Sequence, residues 1–483
     1  MKVCVLLPDY STTKVDYKNY DPVRNLQPLL PNDVVDTVLL NKLTAYKQLQ
    51  NLQRKNYDVF VNLCEGYLHW EVPSIDVIQS LELLNLPYTG PTTTLYDPPK
   101  VLMKYVAYCA GVNFPKYILV DDISVIANIE SELKFPLFVK PAKEGDSVGI
   151  SNKSLVTNFN QLKLQVELLL TQFNELLVEE YIAGKEFTVL VAANAITKEV
   201  DAFTPIEYIF NSEAAFKTYE LKTSSLHPNA NKSVENEELK KQLQTAAINI
   251  FKAFNGVGYA RLDFRMDEAG NLFFLEINFT CSVFYEDGYE GSADYILNNS
   301  TIGKQGFLKQ IIDEGIYRHT QKQKLYFVKG SSTAGFGIYA VRNIAKGEVI
   351  FKGEEKAQRI VTKPFVNKHY NHKQQQDFAA YAYPISEHVF ILWDNDAAQW
   401  APQNHHCNAN TAYEGLNVIA TRNISKNEEL TLDYEMFLNE TAQAFDCNCG
   451  AINCRKHISG SKGNTIENRV INAQNDISSV SST

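Results

Sequence analysis

The sequence predicts a multidomain protein in which an α/β domain and an α+β domain precede a mainly β domain that ends in a zinc-binding segment. Three observations predict this arrangement. The first 95 residues alternate short apolar runs with helical patterns, residues 97–320 mix helices with hairpin-like strands, and short β-like runs with frequent glycine extend from Leu325 to about Gly460. A chain of 483 residues is long enough for about two to four such domains.

The N-terminal domain, residues 1–95, is predicted to contain a parallel sheet. Met1–Leu7 is an apolar run that is too short for a signal peptide and indicates a buried first strand. Residues 57–63 indicate a second strand and Leu86–Thr89 a third, and the apolar residues within 75–84 recur at helical spacing. Strands that alternate with helices are typical of a parallel α/β sheet.

A predicted hairpin in the central region carries the strongest signal of a binding site. Two strand patterns flank the turn-forming segment 267–271. Because side chains alternate faces along a strand, Arg261 shares a face with Asp263, and Glu276 shares a face with Asn278. Counting outward from the turn places Asp263 nearly opposite Glu276. Two adjacent carboxylates and an amide oxygen would repel each other unless a hard cation such as Mg²⁺ lay between them; the alternative is a surface hairpin whose charges face water.

Three further segments of the central region indicate a nucleotide site. A strand delivers Lys140 to a glycine-containing loop whose backbone N–H groups can approach phosphate oxygens. A second segment is predicted to enter an adenine pocket, with adenine bound to the backbone near Tyr181 and Ile182 and the ribose bound to Glu186. Lys222, in a third segment, is placed to reach a γ-phosphate. Taken singly, each segment is equally compatible with an ordinary turn or a solvent-facing lysine.

Together these segments resemble the ATP-grasp fold, and most closely the D-alanine–D-alanine ligase family. The resemblance runs from about residue 57 to residue 315 and includes Asn62–Gly66, Leu86–Gly90 and the Pro99-Lys100 pair before a predicted helix at Val101–Ala110. It makes residues 1–95 a pre-ATP-grasp domain and residues 96–320 the ATP-grasp domain. The implied roles are phosphate binding by Lys100, Lys140 and Lys222, nucleoside binding by Glu179, Tyr181, Ile182 and Glu186, magnesium binding by Asp263, Glu276 and Asn278, and transition-state stabilisation by Arg261.

The resemblance also implies a reaction. Such enzymes make an acyl phosphate from a carboxylate and ATP, an amine then attacks it, and metal and cationic groups offset the charge on the transferring phosphoryl group. The sequence departs from the family where amino acids bind. Leu7–Ser11 replaces the opening Gly-Gly-x-Ser-x-Glu-Arg loop, Asp146 replaces a loop serine, and Phe279–Phe284 replaces the family's Pro-Gly-Met. We therefore expect an ATP-dependent carboxylate–amine ligase that is not a cell-wall dipeptide ligase.

Four cysteines in the C-terminal region predict a zinc site. Cys447, Cys449 and Cys454 lie within a run of eight residues, and Cys407 offers a fourth thiol upstream. Four thiolates form a complete tetrahedral ligand set for a structural Zn²⁺ ion, whereas disulfides between cysteines so close in sequence would be severely strained. The alternative is a set of unrelated thiols in a loop.

The motifs around these cysteines resemble, in order and spacing, the SET-domain methyltransferases with a post-SET zinc segment. The motifs are Ala334–Ala340, Ile344–Ile350, Asn404–Cys407 and Glu428–Tyr434. The resemblance covers roughly 325–458 and makes residues 325–443 the SET domain and 444–460 the post-SET segment. It implies S-adenosylmethionine binding by Gly335, Phe336, Gly337, Asn404 and His405, zinc binding by Cys407, Cys447, Cys449 and Cys454, and an active-site role for Tyr434.

Methyl transfer of this kind needs a neutral lysine amine in line with the sulfonium methyl group. A free lysine has a pKa of about 10.4, so the site must favour deprotonation. Tyr434 would position the amine and need not be the base. Phe351 stands where the family usually has tyrosine and Ala409 where it has proline, which affects the substrate channel and the product state. Without the resemblance, the Gly-Phe-Gly motif is a tight turn, and Asn404-His405 is a buried turn.

Composition narrows the setting and the partners. Hydrophobic residues make up 45% and charged residues 21%, as in soluble globular proteins. The net charge of −10 argues against direct nucleic-acid binding, and no apolar run is long enough for a membrane span. The other cysteines lack a disulfide framework, which favours a reducing compartment, namely the cytoplasm or, in a eukaryote, the nucleus. Residues 461–483 are rich in Ser, Asn and Gly and are predicted to be a disordered tail.

We therefore predict a bifunctional enzyme, an ATP-grasp ligase fused to a SET-type protein-lysine methyltransferase. Its cofactors would be ATP, Mg²⁺, S-adenosylmethionine and Zn²⁺. Its partners would be a small-molecule carboxylate and amine and a lysine-containing protein or peptide. Two alternatives remain: an inactive ATP-grasp domain that selects the methylation substrate, and a C-terminal zinc-stabilised interaction module that transfers no methyl group.

Overall fold

The chain divides into two compact units, Met1–Lys322 and Gln323–Thr483. The computed structural model describes residues 1–11, 13, 21–66, 71–143, 148–209, 231–355, 358–392, 401–466 and 468. The predicted domain bounds leave a boundary between residues 320 and 325, and the units divide within it, directly after the helix that ends at Lys322. Among the described residues, no helix is both long and apolar enough to cross a membrane.

The first unit opens with a parallel sheet, as predicted. Strands β1 (Lys2–Pro8), β2 (Val34–Leu40) and β3 (Val59–Asn62) pair in the order β2-β1-β3, and helices α1 (Ala45–Gln53) and α2 (Ile75–Leu83) follow β2 and β3. Strand β1 is buried on both faces, as expected for a central parallel strand. The sequence analysis missed β2, an edge strand in which only the last residue is buried. The predicted strand at 86–89 is wrong, because only Tyr88 makes an isolated bridge to Phe60.

An antiparallel sheet of order β4-β7-β5-β6 follows helix α3 (Lys100–Cys109). Its strands are β4 (Tyr117–Val120), β5 (Leu137–Pro141), β6 (Leu155–Val156) and β7 (Leu176–Glu180). Helices α4 (Ile129–Glu132) and α5 (Phe159–Leu170) accompany them, and the Asn158 side chain caps α5 by accepting the Gln161 N–H. This sheet places Lys140 on β5 beside Glu179 on β7.

The largest sheet of the first unit has the order β11-β10-β8-β12-β13, with β9 paired to β8. Its strands are β8 (Lys185–Ala193), β9 (Val200–Ala202), β10 (Ile206–Tyr208), β11 (Asn231–Ser233), β12 (Tyr259–Met266) and β13 (Leu272–Asn278). Among the described residues of this unit, the remaining α-helices are α6 (Glu237–Ala253), α7 (Ser292–Asn298) and α8 (Gly303–Lys322). Apolar residues of α6 pack on one face of this sheet, which frees the other face for polar side chains.

Gly184 shapes the turn between β7 and β8. It adopts a φ of 131°, and a Cβ there would lie 2.1 Å from the Met266 carbonyl oxygen. Only glycine therefore lets this turn lie against the end of β12. The close approach brings the predicted nucleoside-binding turn next to the predicted metal-binding strand.

The second unit consists mainly of short strands, as predicted. Small sheets have the orders β14-β15-β22, β16-β21-β20, β17-β19-β18 and β23-β24. Their strands are β14 (Tyr326–Gly330), β15 (Phe336–Ala340), β16 (Val349–Phe351), β17 (Arg359–Thr362), β18 (Tyr383–Pro384), β19 (Val389–Leu392), β20 (Thr411–Glu414), β21 (Asn417–Ala420), β22 (Glu429–Leu430), β23 (Phe445–Asp446) and β24 (His457–Ile458). Two helices, α9 (Lys363–His369) and α10 (His372–Tyr381), interrupt the β-like sequence and were not predicted.

The predicted disordered tail begins too early. Ser461 donates its N–H to Leu438 O over 3.0 Å, and the Asn464 side chain donates to Glu435 O over 3.0 Å. Thr465 is buried. Residues 461–466 are therefore ordered, because polar side chains satisfy backbone carbonyls that composition alone does not reveal. Residues 469–483 lie outside the described part of the chain.

Candidate functional site

Strands β12 and β13 form the predicted hairpin. They pair antiparallel, with Asp263 opposite Glu276 and Arg261 opposite Asn278. The register shifts after Asp263, and a bulge of this kind re-aims neighbouring side chains. The predicted opposition of the two acidic residues is confirmed. Their carboxylate oxygens and the Asn278 amide oxygen are of the hard ligand type that Mg²⁺ prefers.

Both carboxylates of the hairpin have weak internal partners. The Arg261 Nε and Nη2 atoms lie 3.4 and 3.3 Å from the two Asp263 oxygens, and the Asn278 amide donates to Glu276 over 3.4 Å. These contacts are longer than the about 2.7–2.9 Å of strong charge-assisted hydrogen bonds. Burial disfavours the charged guanidinium, but Asp263 outweighs it and keeps the pKa of Arg261 well above its ordinary value. Within the hairpin, a metal ion would therefore replace long contacts.

Glu179 lies between two buried lysines. Lys140 Nζ donates to Glu179 Oε1 over 2.5 Å, and Lys104 Nζ lies 2.7 Å from Oε2. Burial alone would raise the pKa of Glu179, but the two ammonium groups hold it at about 2. The carboxylate is therefore ionised and fixed at neutral pH.

Helix α3 presents two lysines to this site. Lys100 is its first residue, and Lys104 follows one turn later on the same face. Burial lowers the pKa of both side chains, opposed mainly by Glu276 at Lys100 and by Glu179 at Lys104. The sequence analysis chose Lys100 and missed Lys104. The four-residue spacing between them was the available signal.

The turn after β7 carries Tyr181 and Ile182, both half-buried. The Tyr181 N–H already donates to Pro136 O over 2.9 Å, so a backbone contact to adenine at this residue would fall to its carbonyl group. Arg265, which the sequence analysis missed, lies with its guanidinium 4.6 Å from the centre of the Tyr181 ring. Its Nη1 atom is 3.5 Å from Glu186 Oε2. Arg265 thus contacts two predicted nucleoside-binding residues. Alternation along β12 places Arg265 on the same face as Arg261 and Asp263, and this was the signal that could have identified it.

The structure therefore places most residues of the predicted nucleotide site next to another residue of that site. Lys140 meets Glu179, Arg261 meets Asp263, and Asp263 faces Glu276. Two of the residues considered in the sequence analysis lie outside the described part of the chain. They are Lys222 and Asp146, the latter within the loop residues 144–147.

A buried ionic network occupies the end of the first unit where the sequence departs from the family. Arg24 is 1% exposed and lies 3.1 Å from both Asp21 and Glu65. Ser282 donates to Glu65, and the Tyr285 hydroxyl donates to Asp21 over 2.8 Å. Burial raises the pKa of Glu65 to about 7 although Arg24 opposes this shift. Residues after β3 and β13 therefore meet residues 21–24 in a polar cluster that the sequence did not predict.

The four predicted zinc ligands lie together in the second unit. The Sγ atoms of Cys407, Cys447, Cys449 and Cys454 all lie within 4.8 Å of one another, and those of Cys407 and Cys447 are 3.9 Å apart. A tetrahedral site with Zn–S bonds of about 2.3 Å requires sulfur atoms about 3.8 Å apart. The predicted clustering is confirmed, and the donor set fits a closed zinc site.

Backbone N–H groups favour the thiolate form of two of these cysteines. Burial opposes ionisation, but the N–H groups of Cys407 and Ala451 lower the pKa of Cys449 to about 6. The Arg455 N–H, 3.4 Å from Cys407 Sγ, similarly lowers the pKa of Cys407. Burial raises the pKa of Cys447 to about 12, so that thiol depends on a metal ion to lose its proton.

The Gly-Phe-Gly motif begins strand β15 and is tied to Asn404. Gly335 adopts a φ of 48°, a left-handed conformation that favours glycine. Asn404 Nδ2 donates to Phe336 O over 3.3 Å and to Glu429 Oε1 over 2.8 Å. A Cβ on Gly337 would lie 2.2 Å from Glu429 Oε1, so glycine leaves room for this bridge. Asn404 therefore fixes the strand whose backbone is predicted to contact S-adenosylmethionine.

His405 connects the zinc ligands to Tyr434. Its Nδ1 atom accepts the Tyr434 N–H over 3.1 Å, and its Nε2 atom lies 3.3 Å from Cys407 Sγ. Because Nδ1 is an acceptor, the ring proton belongs on Nε2, facing the sulfur. The Tyr434 hydroxyl donates to Gln403 O over 2.5 Å, and burial raises the pKa of Tyr434 to about 12. The tyrosine is therefore neutral at physiological pH and does not serve as a base there.

Two family models match the chain. The model for the D-ala D-ala ligase C-terminus matches residues 110–283, and the model for the SET domain matches residues 335–435. The two matches fall in different units of the structure, and each covers residues of the corresponding candidate site.

Bacterial ligases are similar to the first unit. The D-alanine–D-alanine ligase of Bacillus velezensis is 30% identical over 259 residues, which cover 50% of this chain and 68% of the ligase. The enzyme of the same name from Dechloromonas aromatica is 31% identical over 201 residues, or 41% of this chain, and the chain spans 64% of its length. The structure of the D-alanine–D-alanine ligase from Coxiella burnetii aligns with a TM-score of 0.49 at 18% identity, covering 67% of this chain and 98% of that one.

Proposed function

We propose two activities for this chain, which belongs to the D-alanine–D-alanine ligase family and carries a SET domain after its ligase-like part. The first is ATP-dependent ligation of a small carboxylate to an amine. The second is S-adenosylmethionine-dependent methylation of a lysine in a protein or peptide. The two proposals rest on different observations and are tested separately.

The ligase proposal is carried by the opposition of Asp263 and Glu276 beside Arg261. With Asn278, the two carboxylates would hold Mg²⁺, which neutralises charge on nucleotide phosphates when bound. Arg261 would stabilise the charge on the phosphoryl group as it passes to the substrate. Lys140 and Glu179 already form an ordered ion pair where the nucleotide is predicted to bind.

The proposed reaction has two steps. A carboxylate oxygen of the substrate attacks the γ-phosphorus, ADP leaves, and an acyl phosphate forms. The amine then attacks the acyl carbon, an amide forms and phosphate leaves. The chain's own contribution is to orient the phosphates through Lys100, Lys140 and Lys222 and to hold the Glu179 carboxylate ionised between Lys140 and Lys104.

The amino-acid end supports a substrate other than two D-alanines. Arg24, Asp21 and Glu65 occupy this end in a closed ionic network. Ser282 and Tyr285, which follow the magnesium hairpin, join the same network. A carboxylate or amine bound here would meet side chains that differ from the family pattern.

ADP release tests the ligase proposal. The full chain is incubated with ATP, Mg²⁺ and a panel of amino acids and amines, and products are identified by mass spectrometry. We expect ADP and a new amide in equal amounts with at least one pair, and much less of both with Asp263→Asn. A second function, nucleotide-dependent selection of the methylation substrate, is favoured by the closed Arg24 network. ATP binding without ADP release across the panel would support that function against ligation.

The methyltransferase proposal is carried by the clustering of the four cysteines and its connection through His405 to Tyr434. Zn²⁺, when bound, neutralises the thiolates and fixes the segment that contains them. Asn404 holds the Gly-Phe-Gly strand, and Tyr434 would orient the lysine amine toward the methyl group. Because Tyr434 stays neutral, the amine would lose its proton to water, and the nearby positive charge of the sulfonium would favour this loss by lowering the pKa of the amine.

Binding of labelled S-adenosylmethionine tests the second proposal. We expect saturable binding by the zinc-loaded full chain and transfer of label to a lysine-containing protein. Asn404→Ala should weaken cofactor binding, whereas Tyr434→Phe should keep binding and reduce transfer. If the chain does not bind the cofactor and no label reaches the acceptor protein, the result would instead support a zinc-stabilised interaction module.

A further inference from the structure

Lys104 is a buried charged residue to which the proposed ligase function assigns no role. Its side chain is 1% exposed, and its ammonium group lies 2.7 Å from Glu179 Oε2. Lys140 bonds the other oxygen of the same carboxylate. A buried ammonium group is costly unless it is paired, so this contact is the reason that Lys104 is tolerated inside the fold.

The two lysines that bind Glu179 come from different elements. Lys104 projects from helix α3, and Lys140 projects from strand β5. Lys104 also lies 5.7 and 5.5 Å from the ring centres of Phe114 and Tyr117, close enough for cation–π attraction. Lys140 instead stands near the end of β5, at the residue before Pro141.

We propose that Lys104 is a positioning residue of the nucleotide site, which holds the Glu179 carboxylate in place so that Lys140 can exchange from Glu179 to a phosphate oxygen of ATP. This inference rests on the proposed nucleotide site. Without Lys104, moving Lys140 toward a phosphate would leave a buried carboxylate unpaired. With Lys104 in place, Glu179 keeps one cationic partner throughout nucleotide binding.

The charges around Glu179 are consistent with this division of roles. Among the described residues, the ionic groups that act on Glu179, Lys104 or Lys100 include the lysines themselves with Lys140 of β5, Glu276 of β13 and Asp97 before α3. Lys100 is attracted mainly by Glu276, whereas Lys104 is attracted mainly by Glu179. Helix α3 thus supports the nucleoside end with one lysine and approaches the magnesium hairpin with the other.

A double-mutant cycle on ATP affinity tests the proposal. The dissociation constant of the Mg²⁺ complex of a non-hydrolysable ATP analogue is measured for wild type, Lys104→Met, Glu179→Gln and the double variant. We expect Lys104→Met to weaken binding by about 10- to 100-fold, the range found when groups that orient binding residues are removed. In the Glu179→Gln background, the same change should have little further effect, because Lys104 acts through Glu179. Lys163→Met, on the exposed face of α5, is the control.

The pH dependence of binding separates positioning from a general loss of structure. Without the Lys104 ammonium group, Glu179 is left unpaired when Lys140 moves to a phosphate, so nucleotide binding to Lys104→Met should raise the pKa of Glu179. The affinity of this variant should therefore recover toward that of wild type as the pH falls from about 8 to about 5.5. Equal losses from Lys104→Met in both backgrounds, or wild-type affinity and pH profile, would overturn the inference. If Lys104→Met does not fold, Glu179→Gln is compared with the double variant, which buries no unpaired carboxylate. A further loss of affinity in the double variant would overturn the inference. Absence of ATP binding by wild type would instead overturn the nucleotide site itself.

Discussion

The candidate sites of the two units compensate their charges in different ways. In the first unit, Glu179 meets two lysines and Asp263 meets an arginine within the protein itself. In the second unit, four cysteine sulfurs meet chiefly one another, within 4.8 Å. Four thiolates at that separation repel strongly unless a cation lies at their centre. The first site should therefore keep its shape without ligands, whereas the second should depend on its metal.

Removal of zinc should have the largest effect. Chelation, or Cys449→Ser, should abolish methyl transfer and expose residues 444–460, since structural zinc contributes apparent binding free energies of about 10–16 kcal/mol in small domains. Hydrogen exchange of this segment and metal analysis check the prediction, with Cys109→Ser in the first unit as a control. Unchanged protection after complete zinc loss would break the comparison, because the thiol cluster would then be stable without a cation.

Asp263→Asn should impair catalysis while leaving the first unit folded. We expect ADP formation to fall by about 10²- to 10³-fold, as when one electrostatic group of an active site is removed. The melting temperature should change by only a few degrees, because the contacts between Asp263 and Arg261 are long. Glu268→Gln in the exposed turn of the same hairpin is the matched control. Collapse of the fold in Asp263→Asn would show that the site needs this charge for stability.

Acid should disrupt the two sites in order, the zinc segment first. The pKa of Glu179 is held at about 2, below its ordinary value, so its pairing stabilises the fold above the unfolded-state pKa and is lost only as the pH falls toward 2. The contribution is at most about 3 kcal/mol. Zinc release requires protonation of the four thiolates, because protons and the metal ion compete for the same sulfur atoms. Zinc release and ATP-analogue binding, followed during one acid titration, should show release at the higher pH; the reverse order would contradict the comparison.

Tyr434→Phe should have the smallest effect on stability and a moderate effect on rate. The lost hydroxyl bond to Gln403 contributes about 1 kcal/mol, and misalignment of the acceptor should slow transfer by about 10- to 100-fold. Because the pKa of Tyr434 is about 12, the rate of the wild type should rise with pH as the acceptor lysine deprotonates, with no further step from this tyrosine below that pH. Tyr370→Phe is the control. A Tyr434→Phe variant with full activity would remove the tyrosine from the proposed site.

Local patterns predicted the parts of the molecule in which neighbours in sequence are also neighbours in space. Alternation along β12 and β13 predicted that Asp263 faces Glu276, because a hairpin converts sequence spacing directly into register. The thiol spacing predicted the zinc cluster for a similar reason. The predictions of a third strand at 86–89 and of a disordered tail from residue 461 were wrong. The single bridge at Tyr88 and the hydrogen bond from Asn464 to Glu435 both depend on partners that are distant in sequence.

Long-range contacts account for the residues that were missed. Lys104 lies 75 positions from Glu179 along the chain, and Arg24 meets Val283 across an even longer separation. No local pattern marks such pairs. Spacing along a single helix or strand shows only which residues share a face, as Lys104 does with Lys100 one turn earlier. It does not show which distant residue each one contacts.

The sequence by itself determined the order of the two units, the hairpin that sets Asp263 opposite Glu276, and the four-cysteine set, because these depend on short-range periodicity and residue spacing. Only the tertiary structure decided that Lys104 pairs with Glu179, that Arg24 pairs with Glu65, and that His405 joins Cys407 to Tyr434. Those contacts exist because burial forces each charged or polar group to find a partner, and the partner is chosen by packing rather than by position in the chain.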